Sequence, residues 1–169
     1  MNQSTLLSIM TKSLKRIDNI YFECTERHFC YEFYHQLSIE LFYYNKNNND
    51  YLKNRNIILS AETQKQLSGY KYPDFLLHKF DDYSQQLMAI EVKKFGNLTK
   101  ENFQHDLEKL TDYKNNLSYK NIFFLVINTS MKKLEKYILE LNLLNISDDL
   151  MIITKCSNKR IETKYIKEF

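Results

Sequence analysis

Residues 122–128 read IFFLVIN, and an extended segment with no polar side must be covered on both faces. Such a strand belongs inside a sheet with helices packed above and below it. The rest of the sequence supplies those helices. Leu6, Met10, Leu14 and Ile17 recur at helical spacing and predict a helix over 4–18. In TERHFCYEFYHQLSIELFYYN, Thr25 is the expected N-cap of a second helix, striped by Phe29, Phe33, Leu37, Leu41 and Tyr44. A third runs through NLTKENFQHDLEKLTDYKNNL, with Thr99 as N-cap and Leu98 placed to staple against Phe103. A fourth is expected over 130–144.

Short apolar runs at IILSA, YPDFLLHKF, LMAIEVKKF and LMIITKC read as further strands. The expected order is α, α, β, β, β, α, β, α, β. It implies an α/β fold with a mixed sheet: an antiparallel meander of three strands, then strands reached by helical crossovers. The Asn-rich stretch 45–56 has the composition of a mobile loop. The tail 157–169 reads as an edge strand or an ordered terminus. At 169 residues, one domain over 1–169 is expected, its core spanning about 22–156 with 1–20 as an N-terminal helix.

Composition removes several classes of function. The net charge of +3 permits a phosphate-bearing partner without requiring one. Cys24, Cys30 and Cys156 fit no zinc spacing and read as free thiols in a reducing cytosol. The first twenty residues lack a signal-type apolar region, and no stretch is long and apolar enough to span a bilayer, so a cytoplasmic, non-membrane protein is expected. There is no glycine-rich phosphate loop, no Gly-x-Ser-x-Gly, and no His pair at i,i+4 among His28, His35, His78 and His105.

What demands explanation is charge inside the strands. Alternation puts Met88, Ile90 and Val92 on one face of MAIEVKK, and Ala89, Glu91 and Lys93 on the other. The same rule groups Asp74, Leu76 and His78 opposite Phe75 and Leu77. A hairpin folded about DDYSQ pairs residues whose numbers sum to 165 or 166, which sets Asp74 across from Glu91 or Val92. Two carboxylates at close range need a cation between them. Oxygen ligands in that number suit Mg²⁺, which retains waters for a substrate, while Lys93 would offset charge on a scissile phosphate.

Pro73-Asp74 followed by Glu91-x-Lys93 resembles the motif of the PD-(D/E)xK nuclease superfamily, and the element order over 26–128 resembles its core. The resemblance implies a restriction-endonuclease-like fold that hydrolyses phosphodiester bonds in DNA with Mg²⁺ or Mn²⁺, in defence, restriction or DNA processing. It implies that Asp74, Glu91 and the main chain of Val92 hold the metal and that Lys93 assists the attacking water. A Glu on the first core helix often completes the site. Glu32 is favoured, because Glu26 reads as a first-turn acid near the helix dipole; the two point in different directions, so at most one serves. Glu40 and Glu62 are weaker alternatives that read as solvated.

Lys109-x-x-x-Tyr113 has the spacing of the Gln-x-x-x-Tyr motif of some branches, with Lys in place of Gln. Lys109 is thus a candidate phosphate contact that Tyr113 would orient, against the plainer reading of an Asp106–Lys109 surface pair. Lys94, His35 and Gln36 are further candidate nucleic-acid contacts, as are Lys46, Lys53 and Arg55 around the Asn-rich loop. Members of the family often pair as homodimers to cut both strands. The alternative is a non-catalytic nucleic-acid-binding or protein-interaction module on the same fold.

Overall fold

Strand pairing follows chain order. The computed structural model describes residues 1–61, 73–80, 85–157 and 160–169. Among them β1 (Ile57–Ala61), β2 (Phe75–Lys79), β3 (Gln86–Lys94), β4 (Asn121–Ile127), β5 (Met151–Lys155) and β6 (Glu162–Tyr165) lie side by side in one sheet. The first three are antiparallel, β3, β4 and β5 are parallel, and β6 returns antiparallel on β5. The protein is therefore α/β, a six-stranded mixed sheet flanked by helices. The charged tail provides the edge strand β6, one of the two outcomes its weak alternation allowed.

Helices α1 (Gln3–Arg16), α2 (Ile20–Glu23) and α3 (Glu26–Asn47) pack on one face, with α4 (Lys100–Leu117) and α5 (Met131–Ile138) on the other. Strand β4 divides itself between these layers. Phe123, Leu125 and Ile127 join the α1–α3 core, while Ile122, Phe124 and Val126 join the α4–α5 core, and all six are 0% exposed. A run with no polar face is thus buried on both sides, as its composition requires.

The helix ends are chemically marked. Asn2, Thr25 and Thr99 each accept an N–H from the first turn of α1, α3 and α4. Leu98 and Phe103 meet in one apolar cluster. Helix α5 stops at Ile138, well before Leu144; Leu139 is 65% and Leu144 90% exposed, while Leu141 and Leu143 still pack against the α4–α5 core. The short α2 had no periodicity long enough to announce it. No helix among the described residues is long and apolar enough to cross a membrane.

The stretch expected to be a mobile loop is instead hydrogen-bonded. Helix α3 runs on to Asn47, and the Asn45 side-chain oxygen accepts from the N–H groups of Leu52 and Lys53 while its amide donates to Asp50. Lys53 and Arg55 precede β1 beside the Ile57–Lys79 pair, whereas Asp74 adjoins the Ala61–Phe75 pair. The five residues of β1 separate the two ends by about 17 Å. Glu62 and the link residues 81–84 lie outside the described residues.

Candidate active site

The site forms where β2 begins and β3 runs past it. Phe75 pairs with Ile90 and Leu77 with Met88, so the numbers sum to 165 and place Asp74 opposite Glu91, until an irregularity between Leu77 and His78 shifts the register. The faces follow the alternation: Met88, Ile90 and Val92 enter the α1–α3 core, and Ala89 and Leu76 the α4–α5 core. Glu91 and Lys93 therefore point toward α4.

Because the ladder ends at Phe75, the next N–H groups on that side of β3 lack a strand to receive them. Side-chain carboxylates take their place. Asp74 Oδ2 accepts from Val92 N at 2.7 Å, and Glu26 Oε2 accepts from Lys94 N at 2.7 Å. The N–H and C=O of one strand residue point the same way, so the Val92 carbonyl faces this open edge beside Asp74. Asp74 Oδ1 has no hydrogen bond among the described residues.

Glu91, only 2% exposed, sits in a closed ring of alternating charge. Its Oε1 lies 3.0 Å from Lys93 Nζ, which is 3.4 Å from Asp106 Oδ2. Asp106 Oδ1 lies 3.1 Å from Lys109 Nζ, which returns to Glu91 Oε2 at 2.6 Å. That last contact is close but lacks the angle of a hydrogen bond. Glu26 Oε1 stands 4.0 Å from Lys93 Nζ. Two ammonium groups thus face four carboxylates, Asp74, Glu91, Asp106 and Glu26, leaving an excess of two negative charges when all are ionised.

The titration of these groups reflects that imbalance. Burial first, and the charge of Glu91 second, raise Asp74 to about 7, against the pull of the Val92 N–H. Burial also pushes Glu91 above the usual carboxylate range, with Lys109 and Lys93 pulling the other way. Burial alone would lower Lys93, but Glu91 and Asp106 outweigh it and hold this lysine above its ordinary value. The carboxylates around Lys93 thus favour its ammonium form.

Of the residues singled out from sequence, Asp74, Glu91, Val92, Lys93 and Lys109 come together here. Lys109 does form the i,i+3 pair with Asp106, but inside the ring rather than on the open surface, its side chain 10% exposed. Glu32 makes its contacts away from these groups: its carboxylate accepts from Gln36 at 2.7 Å and lies 3.7 Å from His35, whose side chain stays 63% exposed. The helix acid at the site is Glu26, because α3 starts beside the end of β3. Lys94 turns away, donating to the carbonyls of Glu23 and Cys24 that end α2. Tyr113, 1% exposed, packs against Tyr119 in the core. Glu40 is buried and pairs with Arg16 at 2.9 Å rather than facing solvent. Asp106 was visible only as part of a helical stripe.

Among the described residues no three His, Cys, Asp or Glu side chains form a metal cage, since two ammonium groups stand between the carboxylates. The oxygen donors nevertheless fit a hard cation that uses one or two carboxylates and keeps its waters: Asp74 has an uncommitted oxygen, the Val92 carbonyl lies beside it, and the charge excess is that of one divalent ion. Compared with family models, with curated proteins and with solved structures, the chain matched none.

Proposed function

We propose that this protein is a divalent-metal-dependent nuclease that hydrolyses phosphodiester bonds in DNA, on a restriction-endonuclease-like fold of the PD-(D/E)xK type. The observation that carries the reading is the open end of β3, where Asp74, Glu91 and Glu26 surround Lys93 and, when ionised, leave two negative charges in excess. The order of a helix, three antiparallel strands, a crossover helix and a parallel strand agrees with it.

Asp74, Glu91 and the Val92 carbonyl are the residues that would hold Mg²⁺ or Mn²⁺, with Glu26 beside them. When bound, the ion supplies Lewis acidity and a water of lowered pKa. The chain's own part is positioning and charge. Lys93 brings a fixed ammonium to a phosphate whose oxygens gain negative charge during hydrolysis. Asp106 and Lys109 clamp Glu91 and Lys93, so that neither must reorganise as that charge develops.

Plasmid nicking tests this directly. Mg²⁺ or Mn²⁺ should support cleavage, EDTA should abolish it, and Lys93→Ala should slow it by about 10²-fold or more. Binding without metal-dependent cutting would remove the nuclease. A second pair of variants decides the helix acid: Glu26→Gln should slow nicking by about tenfold through loss of one charge-assisted contact, whereas Glu32→Gln should leave it within about twofold. Equal effects would remove Glu26 from the site.

One observation favours a second reading. Lysines already face both oxygens of Glu91, in a ring that is neutral by itself, which suits a non-catalytic nucleic-acid-binding module stabilised by buried ion pairs. In that case Mn²⁺ would not shift the thermal midpoint of the wild-type chain.

A further inference from the structure

The outer side of the α1–α3 pair carries a groove that the candidate active site does not use. Two hollows of about 380 and 490 Å³ adjoin along it and share Lys12, Glu40, Tyr43 and Asn47. Lys15 and Arg16 line one end. Among the described residues the only carboxylate lining these hollows is Glu40, and Arg16 already pairs with it at 2.9 Å. Lys12 and Lys15 are exposed and have no ion pair among the described residues. The groove is therefore positive, and polar hydroxyls and amides from Ser8 and Asn47 complete its walls.

Aromatic surface adjoins these charges. Tyr43 is 53% exposed and lines both hollows, and Phe42 beside it is 57% exposed. Their rings meet edge to face at 5.8 Å, and Lys46 Nζ, paired with Asp50 at 3.6 Å, lies 5.9 Å from the Phe42 ring. Exposed rings of this size next to the unpaired Lys12 and Lys15 are what an unpaired polynucleotide uses, its phosphates on the lysines and its bases on the rings. A duplex keeps its base faces stacked inside and offers nothing to the rings.

We propose that this groove holds a run of single-stranded nucleic acid. The inference rests on nucleic acid being the substrate, and adds where the uncut part of the strand is held. Glu40 lies fourteen residues beyond Glu26 on α3, about 21 Å along the helix axis. The grip is thus remote from the open end of β3, and its loss raises KM for long single strands with little change in kcat.

The test is fluorescence anisotropy of a labelled oligothymidylate with the full chain in EDTA, where no chemistry is needed. Lys12→Ala/Lys15→Ala should weaken binding about tenfold at low salt and flatten the logarithmic salt dependence by about 1.4, two phosphate contacts at about 0.7 each. Tyr43→Ala should weaken it about tenfold at low and high salt alike. All three side chains are exposed, so the variants should keep the wild-type thermal midpoint. Unchanged affinity in both variants overturns the proposal, as does equal affinity for a blunt duplex or equal competition by polyglutamate, which would assign the groove to acidic peptides. Binding that persists in the groove while no preparation cuts DNA removes the nuclease alone. Cutting that persists while the groove variants bind normally removes the groove alone.

Discussion

Replacing Asp74 by Asn is expected to abolish metal-dependent cleavage and, at the same time, to make the metal-free protein more stable above pH 7. Buried beside Glu91, Asp74 titrates at about 7 in the folded protein, against 3.8 for an ordinary aspartate. Below the lower value both folded and unfolded chains carry the proton, and burial of the group costs little. Between the two values the folded protein holds a proton that the unfolded chain has released, so stability falls as pH rises. Above about 7 the full penalty is present, on the order of 4 kcal/mol at about 1.4 kcal/mol per unit. Asparagine removes this cost and can still accept the Val92 N–H through its Oδ1.

Thermal melts in EDTA should therefore show the Asp74→Asn midpoint rising above wild type by about 8–16 °C at pH 8, given about 2–4 °C per kcal/mol for a chain of this size. The gap should close toward pH 4. Added Mn²⁺ should reverse the order, since an ion that binds only the folded state stabilises it by mass action and needs the carboxylate. Cleavage should fall by about 10³-fold or more, the loss of a first ligand to the catalytic ion. An Asn variant less stable than wild type at pH 8 in EDTA would mean that Asp74 is a structural anion, satisfied by its neighbours.

How much of this was legible in the sequence depends on whether the information was local. Period-two alternation put Glu91 and Lys93 on one face and Val92 on the other, and folding the hairpin about its link left Asp74 opposite Glu91 or Val92; the Phe75–Ile90 register selects Glu91. The apolar run of β4 announced a sheet covered on both sides. Where a helix meets a strand end is not local. Glu26 and Glu32 each satisfy helical periodicity, and the choice falls to Glu26 because α2 and Thr25 start α3 beside Lys94. Likewise the stripe holding Asp106, Lys109 and Tyr113 predicts a shared side of α4 but not its depth. Tyr113 reaches the core, whereas the two charged residues stop at the ring. Lys94, one residue past Lys93, faces away for the same alternation that placed its neighbour, and the short α2 that receives it left no trace in the periodicity.

Opening the ring at Lys109 is expected to destabilise the protein by about 3–5 kcal/mol. Lys109→Met keeps the length of the side chain but leaves Glu91 Oε2 and Asp106 Oδ1 facing each other without the ammonium that stands 2.6 and 3.1 Å from them. Both carboxylates are buried, at 2% and 7% exposure, so water cannot replace the lost partner. Breaking one member of such a pair costs about 3–5 kcal/mol, whereas replacing both with neutral groups costs far less. A double-mutant cycle with Glu91→Gln, followed by urea unfolding, should accordingly give a coupling of about 2–3 kcal/mol, and additivity within about 0.5 kcal/mol would mean that the ring is not a unit. The same variant probes the metal. An ammonium between two carboxylates competes with a divalent cation for the same charge, so its removal should increase the midpoint shift produced by Mn²⁺ relative to wild type. A smaller shift would instead make Lys109 a residue that organises the metal-binding carboxylates, and its loss would then weaken ion binding and cleavage together.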